Sequence, residues 1–132
     1  MTITEKILII DDNADDIEIT KIALEEIGRQ EKVVAVTGGE EALKHLRGEK
    51  NLPALILLDL KMPGMSGFDV LREIRTDARL KPVPVVVVTS STLDSDKQNA
   101  HAGGANGFLY KEVDIDRFSA ALKTSIAALL FP

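Results

Sequence analysis

The sequence predicts an α/β fold: a parallel sheet of five short strands with helices on both faces. Three observations carry this. Strand-like and helix-like patterns alternate five times along 132 residues. The strand runs are continuously apolar and rich in β-branched residues, as expected for strands covered on both faces. Four of the runs also stop at a polar or charged residue. Lys6–Ile10 closes at Asp11-Asp12, Leu55–Leu58 at Asp59, Val85–Val88 at Thr89 and Phe108–Tyr110 at Lys111.

Each element has a local reason. After the first strand, Asp12 or Asn13 is placed to cap a helix that ends near Gly28. Ile17, Thr20, Leu24 and Ile27 recur at spacings of three and four and form its apolar stripe. Lys32–Thr37 is the second strand. Gly38-Gly39 breaks the chain, and Glu40–Leu46 forms a short helix with Ala42, Leu43 and Leu46 inward. Pro53 precedes the third strand, Ala54–Leu58, and Met62-Pro63-Gly64 is a turn. Ser66 caps the next helix, whose buried stripe is Phe68, Leu71 and Ile74. Pro82 and Pro84 lead into the fourth strand. Asp94 opens a polar helix, poor in large apolar residues and expected to be loosely packed, that ends around Gly103-Gly104. Gly107–Tyr110 is the fifth strand. Asp114 caps the last helix, with stripe Ile115, Phe118, Leu122, Ile126 and Leu129. Leu129-Leu130-Phe131 either closes the core or joins a dimer interface.

The bulk properties exclude several classes. The length suits one domain with a real core rather than two. A net charge of -5 disfavours direct binding to nucleic acid or an anionic membrane. With no cysteine there is no disulfide, thiolate nucleophile or thiolate zinc site. No apolar run approaches the roughly 18–20 residues of a membrane span. The N-terminus moves straight into a strand without a leader pattern. A cytoplasmic location is therefore expected. His45 and His101 fall on helix surfaces away from the acidic motifs and read as solvated.

Ligands of parallel α/β sheets bind beyond the carboxyl ends of the strands. There the pattern gathers Asp11, Asp12, Asp59, Thr89 and Lys111. Three carboxylates together repel one another; Lys111 offsets one, and a hard cation offsets much of the rest. Mg²⁺ prefers oxygen ligands and keeps several waters, so the cluster is a plausible Mg²⁺ site with open positions. A carboxylate beside a metal and a lysine can attack phosphorus and form an acyl phosphate. Lys111 would bind one oxygen of the transferring group, and Thr89 would donate to another.

Over its whole length the chain resembles a response-regulator receiver domain. The matching pieces are Ile9-Ile10-Asp11-Asp12-Asn13, the run Leu57–Gly67 around Asp59, Val87-Val88-Thr89-Ser90, and the run Gly104–Lys111. The resemblance implies a flavodoxin-like sheet of order 2-1-3-4-5, with residues 1–132 a single receiver domain and no output domain. It implies Asp59 as phosphoacceptor, Asp12 as direct metal ligand, Asp11 acting through a metal-bound water, and Asp59 and the Lys61 carbonyl as further ligands. Mg²⁺ is the implied cofactor, with Mn²⁺ as a substitute. Lys111 would pair first with the acceptor and then with the phosphoryl group. Thr89 and Phe108 would be the switch pair, and the last strand with its flanking helices the output face. Lys61 and Ser91 occupy positions that tune phosphoryl lifetime. The implied donor is a phosphohistidine on a sensor histidine kinase or a histidine phosphotransfer protein. The implied output is docking on a downstream protein or homodimer, or onward relay, with no external substrate turned over. Asn13-Ala14-Asp15-Asp16 also resembles the single-domain regulators that accompany bacterial phytochromes, and is equally an ordinary acidic helix start.

The chain departs from the family pattern at Glu112, where a proline preceded by a cis bond is usual. A non-proline cis bond costs about 3 kcal/mol, so a trans peptide is expected. Three other functions compete with this one. An aspartate-nucleophile phosphatase needs an acid two residues after the nucleophile, where this chain has Lys61. A flavin carrier needs a phosphate-cradling loop, where this chain has an acidic one. A phosphorylation-independent adaptor would not require the intact acidic set.

Overall fold

A computed structural model of the chain describes residues 6–28 and 32–130. The elements run β1 (Ile7–Ile10), α1 (Ala14–Glu26), β2 (Val33–Val36), α2 (Gly39–Gly48), β3 (Leu55–Leu58), α3 (Gly67–Thr76), β4 (Val85–Thr89), α4 (Asp94–Ala102), β5 (Gly107–Tyr110) and α5 (Ile115–Leu130). The strands form one sheet in the order β2-β1-β3-β4-β5, and every pair is parallel. Among the described residues no helix is long and apolar enough to cross a membrane.

Alternation along each strand divides the core between two faces. Ile7, Ile9, Leu55, Leu57, Val86 and Val88 meet Ile17, Ala23 and Leu24 of α1 and Phe118, Leu122 and Ile126 of α5. Leu8, Ile10, Ile56 and Leu58 meet Ala42, Leu43 and Leu46 of α2 and Val70, Leu71 and Ile74 of α3. A smaller cluster of Leu60, Val87 and Ala100 lies under α4, with Phe68 and Phe108 half-buried against it. Phe68 is therefore half-buried toward α4, while Val70 joins the stripe that the sequence assigned to Leu71 and Ile74. On α1, Ala23 is buried and Ile27 half-buried. Leu129 packs half-buried on the α1/α5 core; Phe131 lies outside the described residues.

The caps follow the sequence closely. Asn13, not Asp12, caps α1, accepting from the N–H groups of Asp15 and Asp16 at 2.9 and 3.0 Å. Ser66 and Asp69 form a reciprocal capping box on α3. Asp114 accepts from the N–H groups of Asp116 and Arg117 at the start of α5. Gly28, just past α1, takes a φ of +80°, the left-handed conformation that favours glycine at a helix end. No described peptide bond is cis, so Lys111–Glu112 is trans.

Candidate functional site

Strand register brings the polar residues together. Ile10 is level with both Val36 and Leu58. The ladder extends one step further, with Asp11 N–H donating to Val36 O (3.1 Å) and Asp59 N–H to Ile10 O (2.9 Å). Asp11 and Asp59 therefore sit side by side at the same sheet edge. On the other side, Thr89 is level with Tyr110, and Lys111 N–H donates to Thr89 O at 2.8 Å. Gly67 seals the floor: a Cβ there would lie 2.2 Å from the Asp59 carbonyl oxygen, so only glycine lets α3 start this close to the strand end.

Asp11, Asp59 and Thr89 are buried, whereas Asp12 is exposed at the mouth. Carboxylate oxygens of Asp11, Asp12 and Asp59 lie within 4.8 Å of one another. A trio of hard oxygen donors, one of them open to solvent, suits a divalent cation that keeps some water ligands. The Lys111 ammonium donates to Asp16 Oδ2 at 2.8 Å and lies 3.0 Å from Asp11 Oδ2 and 3.5 Å from Asp59 Oδ1.

Burial is the main force on Asp59. It pushes the carboxyl up from 3.8 to about 6. Lys111 and the Lys61 backbone N–H pull it down, while the carboxylates of Asp11 and Asp12 push it up. At pH 7 Asp59 is thus mostly ionised, yet it carries charge that protein groups do not fully neutralise. Burial also opposes the charged form of Lys111, but its contacts with Asp16, Asp11 and Asp59 outweigh that and raise its pKa. The lysine stays an ammonium.

Two acidic residues join the site that sequence reasoning did not assign to it. By sequence Asp16 is only part of an acidic helix start, and its pairing with Lys111 spans 95 residues. Asp96, buried in the first turn of α4, accepts from the Ser91 hydroxyl at 2.5 Å and lies 3.3 Å from Lys61 Nζ. One carboxylate thus ties together the two residues singled out as tuning positions. The Ser91 hydroxyl, and then the Lys61 ammonium, hold the Asp96 carboxyl below the usual range against the opposing effect of burial. Thr89 is fully buried, its hydroxyl accepting from Ser91 N–H at 3.2 Å. Phe108 is half-buried beside it in the strand order, against Leu60, Val87 and Ala100. His101 is exposed, as the sequence indicated; His45 is half-buried, 3.7 Å from Glu49 Oε1. Neither belongs to the acidic trio.

Known proteins share this fold. Residues 7–123 match the response regulator receiver domain family. The phosphorylated cyanobacterial phytochrome response regulator RcpA is similar with a TM-score of 0.86 and 32% identity, over 96% of this chain and 94% of that one. The Mn²⁺-bound form of response regulator Rcp1 gives a TM-score of 0.83 at 25% identity, over 98% and 97% of the two chains. The probable methanogenesis regulatory protein FilR2 of Methanothrix harundinacea (strain 6Ac) is 34% identical over 114 residues, 83% of this chain and 74% of FilR2. Fold, strand-end residues and similarity over most of the chain agree: the chain belongs to the response regulator receiver domain family of two-component signalling.

Proposed function

We propose that the chain accepts a phosphoryl group on Asp59 from a phosphohistidine of a sensor histidine kinase or histidine phosphotransfer protein. The carrying observation is Asp59 itself: a buried carboxyl at the centre of a cluster with a cation-suited acidic trio and a half-buried lysine. A carboxylate oxygen of Asp59 attacks phosphorus and forms an acyl phosphate. The P–N bond of the donor breaks, and its imidazole leaves with the electron pair and takes up a proton. Asp11, Asp12, Asp59 and the Lys61 carbonyl would hold Mg²⁺, or Mn²⁺ in its place. The metal supplies charge neutralisation for the incoming phosphoryl oxygens. Lys111 binds a further oxygen, moving from the shared carboxylates toward the new charge. The Thr89 hydroxyl swings to donate to another, and Phe108 follows into the space behind it.

In this reading the output is a changed surface on α4, β5 and α5, read by a downstream protein or a second copy, or else onward relay of the phosphoryl group. The chain turns over no external substrate and works in the cytoplasm. The phosphatase alternative lacks its acid, since the position two residues past Asp59 is Lys61. Incubation with acetyl phosphate, read by intact mass, tests the proposal. One phosphoryl adduct that needs Mg²⁺, is lost with chelator and is absent in Asp59→Asn is the expected result. An adduct that persists in Asp59→Asn refutes the assignment, and no adduct from acetyl phosphate or a phosphorylated kinase moves the reading to an adaptor.

A further inference from the structure

The shortest contact of Lys111 is with a carboxylate outside the acidic trio. Asp16 Oδ2 accepts from Lys111 Nζ at 2.8 Å, while Asp11 Oδ2 and Asp59 Oδ1 lie 3.0 and 3.5 Å away. The backbone of Asp16 is held on both sides. Its N–H donates to the Asn13 side chain at 3.0 Å, and its carbonyl accepts from the buried Thr20 hydroxyl at 2.9 Å. On this side of the lysine, Asp16, Ile19, Thr20, Lys111, Glu112 and Phe118 line a cavity of about 30 Å³. That is space for a water, not for a competing side chain.

An ammonium and a divalent cation compete for the same oxygens of Asp11 and Asp59. A lysine centred on those two would neutralise the trio and oppose a metal at close range. We propose that Asp16 is a positioning residue that draws the Lys111 ammonium toward α1, so that the lysine shares the oxygens of Asp11 and Asp59 with a cation instead of sitting between them, and stays within reach of Asp59. The inference rests on reading the trio as a cation site and adds a residue that governs it.

Asp15 supplies the control. It stands next to Asp16 in the same helical turn, carries the same charge, and is exposed. The 132-residue chain is titrated with MgCl₂ by isothermal calorimetry at pH 7.5. Asp16→Asn is expected to weaken Mg²⁺ binding about tenfold, mid-range for groups coupled by direct contact. Asp15→Asn should change it less than about twofold, as a screened surface charge does. Asp16→Glu should recover most of the loss. In a Lys111→Met background, Asp16→Asn should do no more than Asp15→Asn, because the lysine that it positions is gone. Equal weakening by Asp16→Asn and Asp15→Asn, or an undiminished effect of Asp16→Asn with Lys111 removed, would overturn the inference while leaving the cation site intact. Failure of the wild-type protein to bind Mg²⁺ at millimolar concentration would instead overturn the cation site, and this inference with it.

Discussion

The two flanks of the site are built differently. On the β1/α1 side, a 13-residue helix starts from a side-chain cap and buries Ile17, Thr20, Ala23 and Leu24. Asp11, Asp16 and Lys111 interlock beneath it. On the other side, α4 has nine residues and no side-chain cap at Leu93, and buries only Asp96 and Ala100. Leu93, Tyr110 and Val113 leave apolar surface exposed around that helix, β5 and the loop that follows. Local opening is easiest where few apolar contacts are buried. The dense flank suits holding charge in fixed places, and the sparse flank suits a change of position. In the proposed function the chemistry falls on the first and the response on the second.

The sparse flank is not unanchored. Arg75 of α3 donates from Nε to Gly104 O at 2.9 Å and from Nη1 to Lys81 O and Val83 O at 2.9 and 2.8 Å. Its Nη2 donates to Asn106 Oδ1 at 2.8 Å, which also accepts from Val85 N–H at 2.8 Å. A single guanidinium therefore joins the loops entering β4 and β5. Movement of α4 is expected between this clamp and the Asp96 contacts, not beyond them.

The largest expected effect comes from the floor that the two flanks share. Gly67→Ala forces a methyl group onto the backbone of Asp59 and Leu60 and should destabilise the protein by about 3 kcal/mol in urea unfolding, the upper end for overpacking. Arg75→Met should follow at about 2 kcal/mol, because it leaves part-buried carbonyls without their charged donor. Its amide exchange should quicken at residues 103–106 and leave α1 unchanged. Asp96→Ala should act more locally still, with faster exchange over residues 91–100, little change in urea midpoint and none in α1. Faster exchange in α1 as well would erase the distinction between the flanks.

The fourth prediction turns on its sign. Asp59 titrates near 6 in the fold and near 3.8 as an ordinary carboxyl. The folded, metal-free protein therefore holds more protons than the unfolded chain between those values, and this group's contribution to stability falls as pH rises through that window. Asp59→Asn removes the contribution. In chelator, the mutant should gain stability relative to wild type at pH 7 and much less at pH 4. A larger gain at pH 4 would show that Asp59 is not held in an environment that disfavours its charge.

Most of the dense flank was legible in the sequence, because parallel register turns strand ends into neighbours. Asp11, Asp59, Thr89 and Lys111 each close an apolar run, so placing the strands placed the residues. Asn13, Ser66 and Asp114 were legible as caps for a similarly local reason. What escaped depends on how a helix is rotated against the sheet. Asp16 reaches Lys111 only because α1 presents that side of its first turn to the end of β5. Asp96 sits in a polar helix whose sequence marks none of its acidic residues as inward. Arg75 bonds mainly to backbone carbonyls, which leave no trace in residue identity. Phe68 read as core because its spacing fits the stripe, but α4 covers it too thinly to bury it fully.

Four carboxylates, Asp11, Asp12, Asp16 and Asp59, crowd around one lysine or its immediate neighbours, and the account assigns the phosphoryl group to only one of them. Borohydride reduces an acyl phosphate to the alcohol with loss of phosphate, so trapping after treatment with acetyl phosphate and Mg²⁺ converts the phosphorylated aspartate into homoserine. Peptide sequencing by mass spectrometry then reads its position. Homoserine is expected at position 59 alone; homoserine at 11, 12 or 16 in place of 59 would contradict Asp59 as the acceptor.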